Sequence, residues 1–131
     1  MLRRLVVVFI FAFLPNLIWE HLHSVLYVSY QGGAITNLIL FRAALFDATV
    51  ITVVAFLPLS LLGRRRVGGG VAFLFLLLFA ILLEKWALAT GRWAYTDAMQ
   101  IIPILNVGLT PVIQLGILGY VSRRVADWFC G

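Results

Sequence analysis

The sequence predicts an all-α fold: a polytopic membrane protein built as a four-helix antiparallel transmembrane bundle, in one domain covering residues 1–131. Three observations predict it. Hydrophobic residues make up 63% of the chain and only 11% are charged, about half the charged share of a soluble domain. Mean hydropathy is +1.08. Apolar runs of bilayer length, about 20 residues, recur four times, and short arginine clusters flank them. The net charge of +5 therefore reads as a topology signal rather than as a nucleic-acid surface.

The first span is expected over residues 5–27. Arg3-Arg4 followed by the run from Leu5 to Leu14 has the layout of a signal peptide. Pro15-Asn16-Leu17-Ile18-Trp19-Glu20 offers no small-x-small cleavage site, so the segment reads as a retained helix. Ser29-Tyr30-Gln31-Gly32-Gly33 is turn chemistry and ends it. Asn37 is the expected N-cap of a second span over residues 38–62. Gly63 and Arg64-Arg65-Arg66 close that span, and Gly68-Gly69-Gly70 allows a tight reversal into the third, residues 71–89. The fourth is expected over residues 101–121. Pro15, Pro58 and Pro111 fall inside spans and can kink them, with Pro111 and Gly108 marking the fourth helix as the one to bend.

Seven of the ten basic residues sit in Arg3-Arg4, Arg64-Arg65-Arg66 and Arg123-Arg124. Four spans bring all three clusters to one side, and the positive-inside rule makes that side the cytosol. The expected location is the inner (plasma) membrane, with both termini cytoplasmic. Trp86, Trp93, Tyr95, Tyr27 and Tyr30 then gather at the outer interface as an aromatic belt. A single cysteine, Cys130, cannot form an internal disulfide, and no prenylation box follows it.

Acidic residues interrupt the apolar runs at three places, and a fourth, Asp97, lies just beyond one. Glu20 lies 16 residues after Arg4, Asp47 lies 17 before Arg64, and Glu84 lies 18 after Arg66. At a rise of 1.5 Å per residue all three stand roughly 24–27 Å from the cytosolic face, in one layer. Each costs about 2.5–3.5 kcal/mol to insert, which marks the layer as a candidate site. On the first helix Asn16, Glu20, His23 and Ser24 share a face, while His21 points elsewhere. Two histidines in such a relation make a poor metal site, so no metal or other cofactor is expected. Arg42 is the one cation well inside a span, with three carboxylates available as ion-pair partners. Adjacent residues diverge by about 100° on a helix, so Lys85 can snorkel outward while Glu84 turns inward. Asn106, 17 residues before Arg123, falls in the same layer, and Gln114 lies nearer mid-membrane. Both amides suit hydrogen bonds between helices or to a substrate.

The segment Glu84-Lys85-Trp86-Ala87-Leu88-Ala89-Thr90-Gly91-Arg92-Trp93-Ala94-Tyr95 has the skeleton acid-x-x-Ala-x-x-x-Gly-x-Trp-x-aromatic. It resembles the small membrane lycopene cyclase subunits of bacterial carotenoid synthesis and their fused fungal relatives, which usually carry Asp where Glu84 stands. The resemblance implies a short multi-span protein working in pairs. It also implies ring closure on a linear polyene, by protonation of a double bond and later proton loss, without net redox change. That family continues with Pro-x-Glu-Glu at the next helix. Here Leu109-Thr110-Pro111-Val112-Ile113-Gln114 keeps the proline and lacks both carboxylates.

The function expected first is acid–base chemistry of isomerase or cyclase type on an isoprenoid or lipid. Glu20, Asp47 and Glu84 would supply acid and base, with Arg42 and His23 tuning them. Trp93 and Tyr95 would face a carbocation with their π systems, and Asn106 and Gln114 would hold the substrate. The alternatives are a small proton-coupled transporter subunit and a structural or accessory subunit in which the polar layer binds helices together. The expected partners are membrane lipid or a hydrophobic small molecule, and further subunits in the membrane. Nucleic acid is not among them.

Overall fold

The computed structural model describes the backbone of residues 1–62 and 65–131, and the side chains of residues 1–56 and 69–131. Gly63 and the side chains of Pro58 and of the Arg64-Arg65-Arg66 cluster lie outside the described residues. The chain is mostly helical. Helix α1 covers Leu2–His23 and ends in a 3₁₀ turn, Ser24–Leu26. Strand β1 is Tyr27–Tyr30, α2 is Asn37–Leu62 and α3 is Arg65–Ala89. Strands β2 (Trp93–Tyr95), β3 (Ile101–Ile102) and β4 (Val107–Gly108) precede α4, Leu109–Cys130.

Among the described residues, three helical stretches, Leu2–Leu26, Asn37–Phe56 and Gly69–Ala89, are long and apolar enough to cross a membrane. Their outward faces are greasy: Leu14, Ile18 and Leu22 on α1, and Leu74, Leu78 and Leu82 on α3, are each more than half exposed. Spaced four apart, they form stripes suited to hydrocarbon.

Helix α1 packs against α2 and α4, and α3 packs against α4 and α2. The shared core is rich in alanine: Ala12, Ala48, Ala55, Ala72, Ala80 and Ala126 surround Val8, Ile51, Leu76 and Leu118. Small side chains let backbones approach closely. Helix α4 takes this furthest. A Cβ on Gly119 would run into Leu76 Cδ1, and one on Gly116 would meet Phe73 Cε2 at 2.9 Å. Arg4 on α1 pairs with Asp127 on α4, so the start of the first helix and the end of the last meet at one end of the molecule.

Several expected boundaries move. Thr36, not Asn37, caps α2, its Oγ1 accepting from the Ile39 N–H at 3.3 Å. Gly68-Gly69-Gly70 is no reversal but lies within α3. The fourth helix begins at Leu109 instead of residue 101. The apolar run Ile101-Ile102-Pro103-Ile104-Leu105 hides a turn. Ile104 (φ 71°) and Asn106 (φ 55°) adopt left-handed backbone, and β3 pairs with β4 through Ile101–Gly108 and Ile102–Val107. Pro111 falls in the first turn of α4, where its missing N–H has no helical partner to lose. It starts the helix and does not bend it.

Strands β1 and β2 form a small antiparallel sheet, Tyr27 opposite Tyr95 and Tyr30 opposite Trp93, with an irregularity between Tyr27 and Ser29. The sheet lies at the Asp47 and Glu84 end of the helices and roofs the space between them.

Candidate functional site

Under that roof lies a cavity of about 530 Å³ bordered by all four helices and by the sheet. Glu20, Asp47 and Glu84 all line it. Each reaches it from a different helix, α1, α2 and α3. His23, Arg42, Trp93 and Gln114 line the same space. On the α2 and α3 sides its wall includes Phe46 and Trp86, which are 48% and 50% exposed. The cavity therefore opens sideways between those two helices, along the apolar outer surface.

One amide organises the first pair of carboxyls. Gln114 Nε2 stands 2.8 Å from Asn16 Oδ1, 2.8 Å from Glu20 Oε1 and 3.1 Å from Asp47 Oδ2. Asn16, Asp47 and Gln114 are almost fully buried. An amide nitrogen carries two protons, so three acceptors share two donors. Asn16 is itself anchored by donating from Nδ2 to Ala12 O at 2.7 Å. The cluster ties α1, α2 and α4 together at one level.

Glu84 is held differently. Its Oε2 accepts from Trp93 Nε1 at 3.1 Å and from the Tyr95 hydroxyl. The Tyr95 oxygen in turn accepts from the Gly108 N–H at 3.0 Å. A backbone N–H can only donate, so the one Tyr95 proton must point at Glu84. Burial, followed by the hydrogen bond to Glu84, holds the Tyr95 phenol above its usual range. Burial and the nearby Glu84 carboxyl push Tyr27 far above it. Both phenols thus stay proton donors. Tyr27, Tyr30, Trp93 and Tyr95 form the roof of the site, and Trp93 and Tyr95 donate hydrogen bonds to Glu84.

Arg42 does not form the ion pair expected of it. Among the described residues it makes no salt bridge, and it sits exposed at the cavity wall. Among the described residues the one basic group within salt-bridge distance of the three cavity carboxyls is His23, whose Nε2 is 3.9 Å from Glu20 Oε2. Among the described residues neither ring nitrogen of His23 has a hydrogen-bond partner, nor does Trp19 Nε1. His23 also borders a second, apolar groove of about 460 Å³ between α1 and α4. Lys85 is exposed as expected, and so is His21.

Asn106 is a correction. It lies in the β3–β4 turn, exposed, with its Nδ2 3.5 Å from Ile104 O, and it does not line the cavity. Its place in the expected layer came from counting along a helix that does not yet exist at that position. Asp97 is exposed in the turn after β2. Two lining residues, Arg92 and Tyr30, were not among the expected site residues because neither lies on a helix whose face can be counted. Arg92 sits 5.0 Å over the Trp86 ring and its Nη2 lies 3.3 Å from the Tyr30 hydroxyl. Among the described residues no three His, Cys, Asp or Glu side chains form a group that could hold a metal ion. Comparison with protein-family models, curated proteins and solved structures returns no match for this chain.

Proposed function

We propose that the chain is a polytopic inner-membrane protein whose four helices cross the bilayer with both termini cytoplasmic, and that its cavity performs acid–base catalysis on the double bonds of an isoprenoid or similar lipid. The observation that supports this most is that three carboxyls from three helices face one apolar, laterally open cavity without a lysine or arginine bound to any of them among the described residues. Buried charges that serve only packing are usually paired. Carboxyls in unlike environments divide into acid and base.

Two hydrogen bonds onto Glu84 Oε2 suit a carboxylate that receives a proton. Glu20 and Asp47, gripped by one amide nitrogen, are like charges that cannot both ionise cheaply. They are the acid pair. The proton leaves the pair for one carbon of a double bond, and the neighbouring carbon becomes cationic. The faces of Trp93 and Tyr27 stabilise that cation. Glu84 then removes a proton from an adjacent carbon. One proton is consumed and one released, so the product is an isomer, open-chain or cyclic, without redox change. This is also the chemistry that the resemblance of the segment from Glu84 to Tyr95 implies.

Purified protein in lipid nanodiscs, given a polyunsaturated isoprenoid in D₂O, should put carbon-bound deuterium into a rearranged product. Asp47→Asn should abolish the incorporation. Folded wild-type protein that incorporates no deuterium into any of a panel of isoprenoids would sink the reading. A structural reading draws on the Gln114 cluster, which also joins three helices. It predicts that Asp47→Asn unfolds the protein instead.

A further inference from the structure

The cavity has two chemically distinct ends, and the second one has no assigned role. Arg42 and Arg92 both line it. They come from α2 and from the loop before β2, and neither forms an ion pair among the described residues. Three carboxyls share their cavity and are already served: Glu20 and Asp47 by Gln114, Glu84 by Trp93 and Tyr95. Arginines that only packed the helices would be expected to pair with those carboxyls.

Depth separates the two ends. Arg42 precedes Asp47 by five residues on α2, which is about 7.5 Å along the axis at 1.5 Å per residue. It lies on the side toward the start of α2 and the sheet roof. Arg92 is part of that roof region. It is steadied by the Trp86 face at 5.0 Å and the Tyr30 hydroxyl at 3.3 Å. A guanidinium has five N–H donors, so most of Arg92's remain free for a ligand. The roof end is therefore cationic, the level below it acidic, and the side wall apolar and open between α2 and α3.

We infer that the roof end of the cavity binds a phosphate or diphosphate group, carried by an amphiphile whose hydrocarbon chain leaves between α2 and α3. Guanidinium groups bind phosphate oxygens in bidentate fashion. The head would sit on Arg42 and Arg92, and the carbons nearest the head would reach the level of Asp47 and Glu84. The inference rests on the acid–base reading and narrows its substrate to an anionic prenyl lipid instead of a neutral hydrocarbon. If Arg42 merely snorkels to the membrane surface, the head contributes nothing to binding.

Trp86 and Trp93 in the cavity wall allow a direct binding measurement. Farnesyl phosphate, farnesol and inorganic phosphate are each titrated against nanodisc-embedded protein, with tryptophan fluorescence as the readout. Wild-type protein should bind farnesyl phosphate about tenfold or more tightly than farnesol, as charge-assisted hydrogen bonds require. Arg42→Gln should erase that preference while leaving farnesol binding and helical content unchanged, and Arg42→Lys should keep part of it. Displacement of farnesyl phosphate by inorganic phosphate at similar concentration would assign the same anion site to free phosphate. No displacement assigns it to the lipid headgroup. Equal affinity for the phosphate and the alcohol, or a preference that survives Arg42→Gln, overturns the inference. Binding does not require chemistry, so Glu84→Gln should keep the full preference. Its outcome stays separate from any failure of the acid–base reading.

Discussion

The two ends of the helix bundle solve opposite problems with the same four helices. At the end where α1 begins and α4 finishes, the interfaces are packed mainly with small apolar residues, with Ser122 and Arg123 also buried there. Val8, Ala12, Ile51, Leu76 and Ala126 are all at most 2% exposed, Gly119 lies against Leu76, and Arg4 pairs with Asp127. At the other end the interior is polar and hollow, with Asn16, Asp47, Glu84 and Gln114 buried around a cavity. Close packing holds the helices at one end, so the other end can hold groups that would otherwise cost stability. Close apolar packing dominates one end of the bundle and the cavity the other, and substitutions at the two ends should fail in different ways.

The largest effect is expected from Glu84→Gln. Glutamine keeps an oxygen for Trp93 and Tyr95 but cannot take a substrate proton. Turnover should fall by a factor of about 10²–10⁴, the usual worth of a positioned acid or base. Stability should change by about 1 kcal/mol or less, since the hydrogen bonds survive. Turnover and detergent-solution unfolding on one preparation check both. Lost folding with Glu84→Gln would erase the division between the two ends.

Gly119→Leu should fail the other way. Even the first added carbon would run into Leu76 Cδ1, and Leu76 is 2% exposed and cannot swing aside freely. Overpacking of this kind costs about 1–3 kcal/mol. The midpoint of thermal unfolding should fall, while protein that remains folded should keep its affinity for a cavity ligand. Unchanged stability would mean that α3 and α4 are not closely packed at this level.

The hollow end was partly legible in the sequence and the packed end hardly at all. Glu20, Asp47 and Glu84 stand out in apolar runs, and counting from arginines placed them at one level because regular helices keep a fixed rise. Counting failed at Asn106 for the same reason: residues 101–108 are apolar enough to read as membrane helix, yet Pro103 and two left-handed residues turn the chain there. Tyr95 was legible as a site residue, but the direction of its hydrogen bond to Glu84 was not, since that depends on the Gly108 N–H occupying its oxygen. Arg42 looked like an ion-pair partner because sequence lists charges but not which face each one takes. The close approach of α4 to α3 needed only Gly116 and Gly119, a spacing too ordinary to stand out.

The smallest effect belongs to the clamp at the packed end. Arg4 and Asp127 are both part-exposed, at 16% and 30% of their side-chain surface. A partly solvated ion pair of that kind is worth about 0–1 kcal/mol and is screened by salt. Asp127→Asn should therefore lower stability slightly, and only at low ionic strength. Apolar residues such as Val8, Ala12 and Ala126, not this pair, hold α1 to α4 below the polar layer. Turnover should not change, because the cavity groups lie at the opposite end of the helices. Unfolding curves of wild type and variant across a salt series test the first point, and turnover in the same buffers tests the second. A variant that keeps its stability yet loses turnover would mean that the two ends are mechanically coupled. The packed end would then transmit motion to the cavity instead of merely anchoring it.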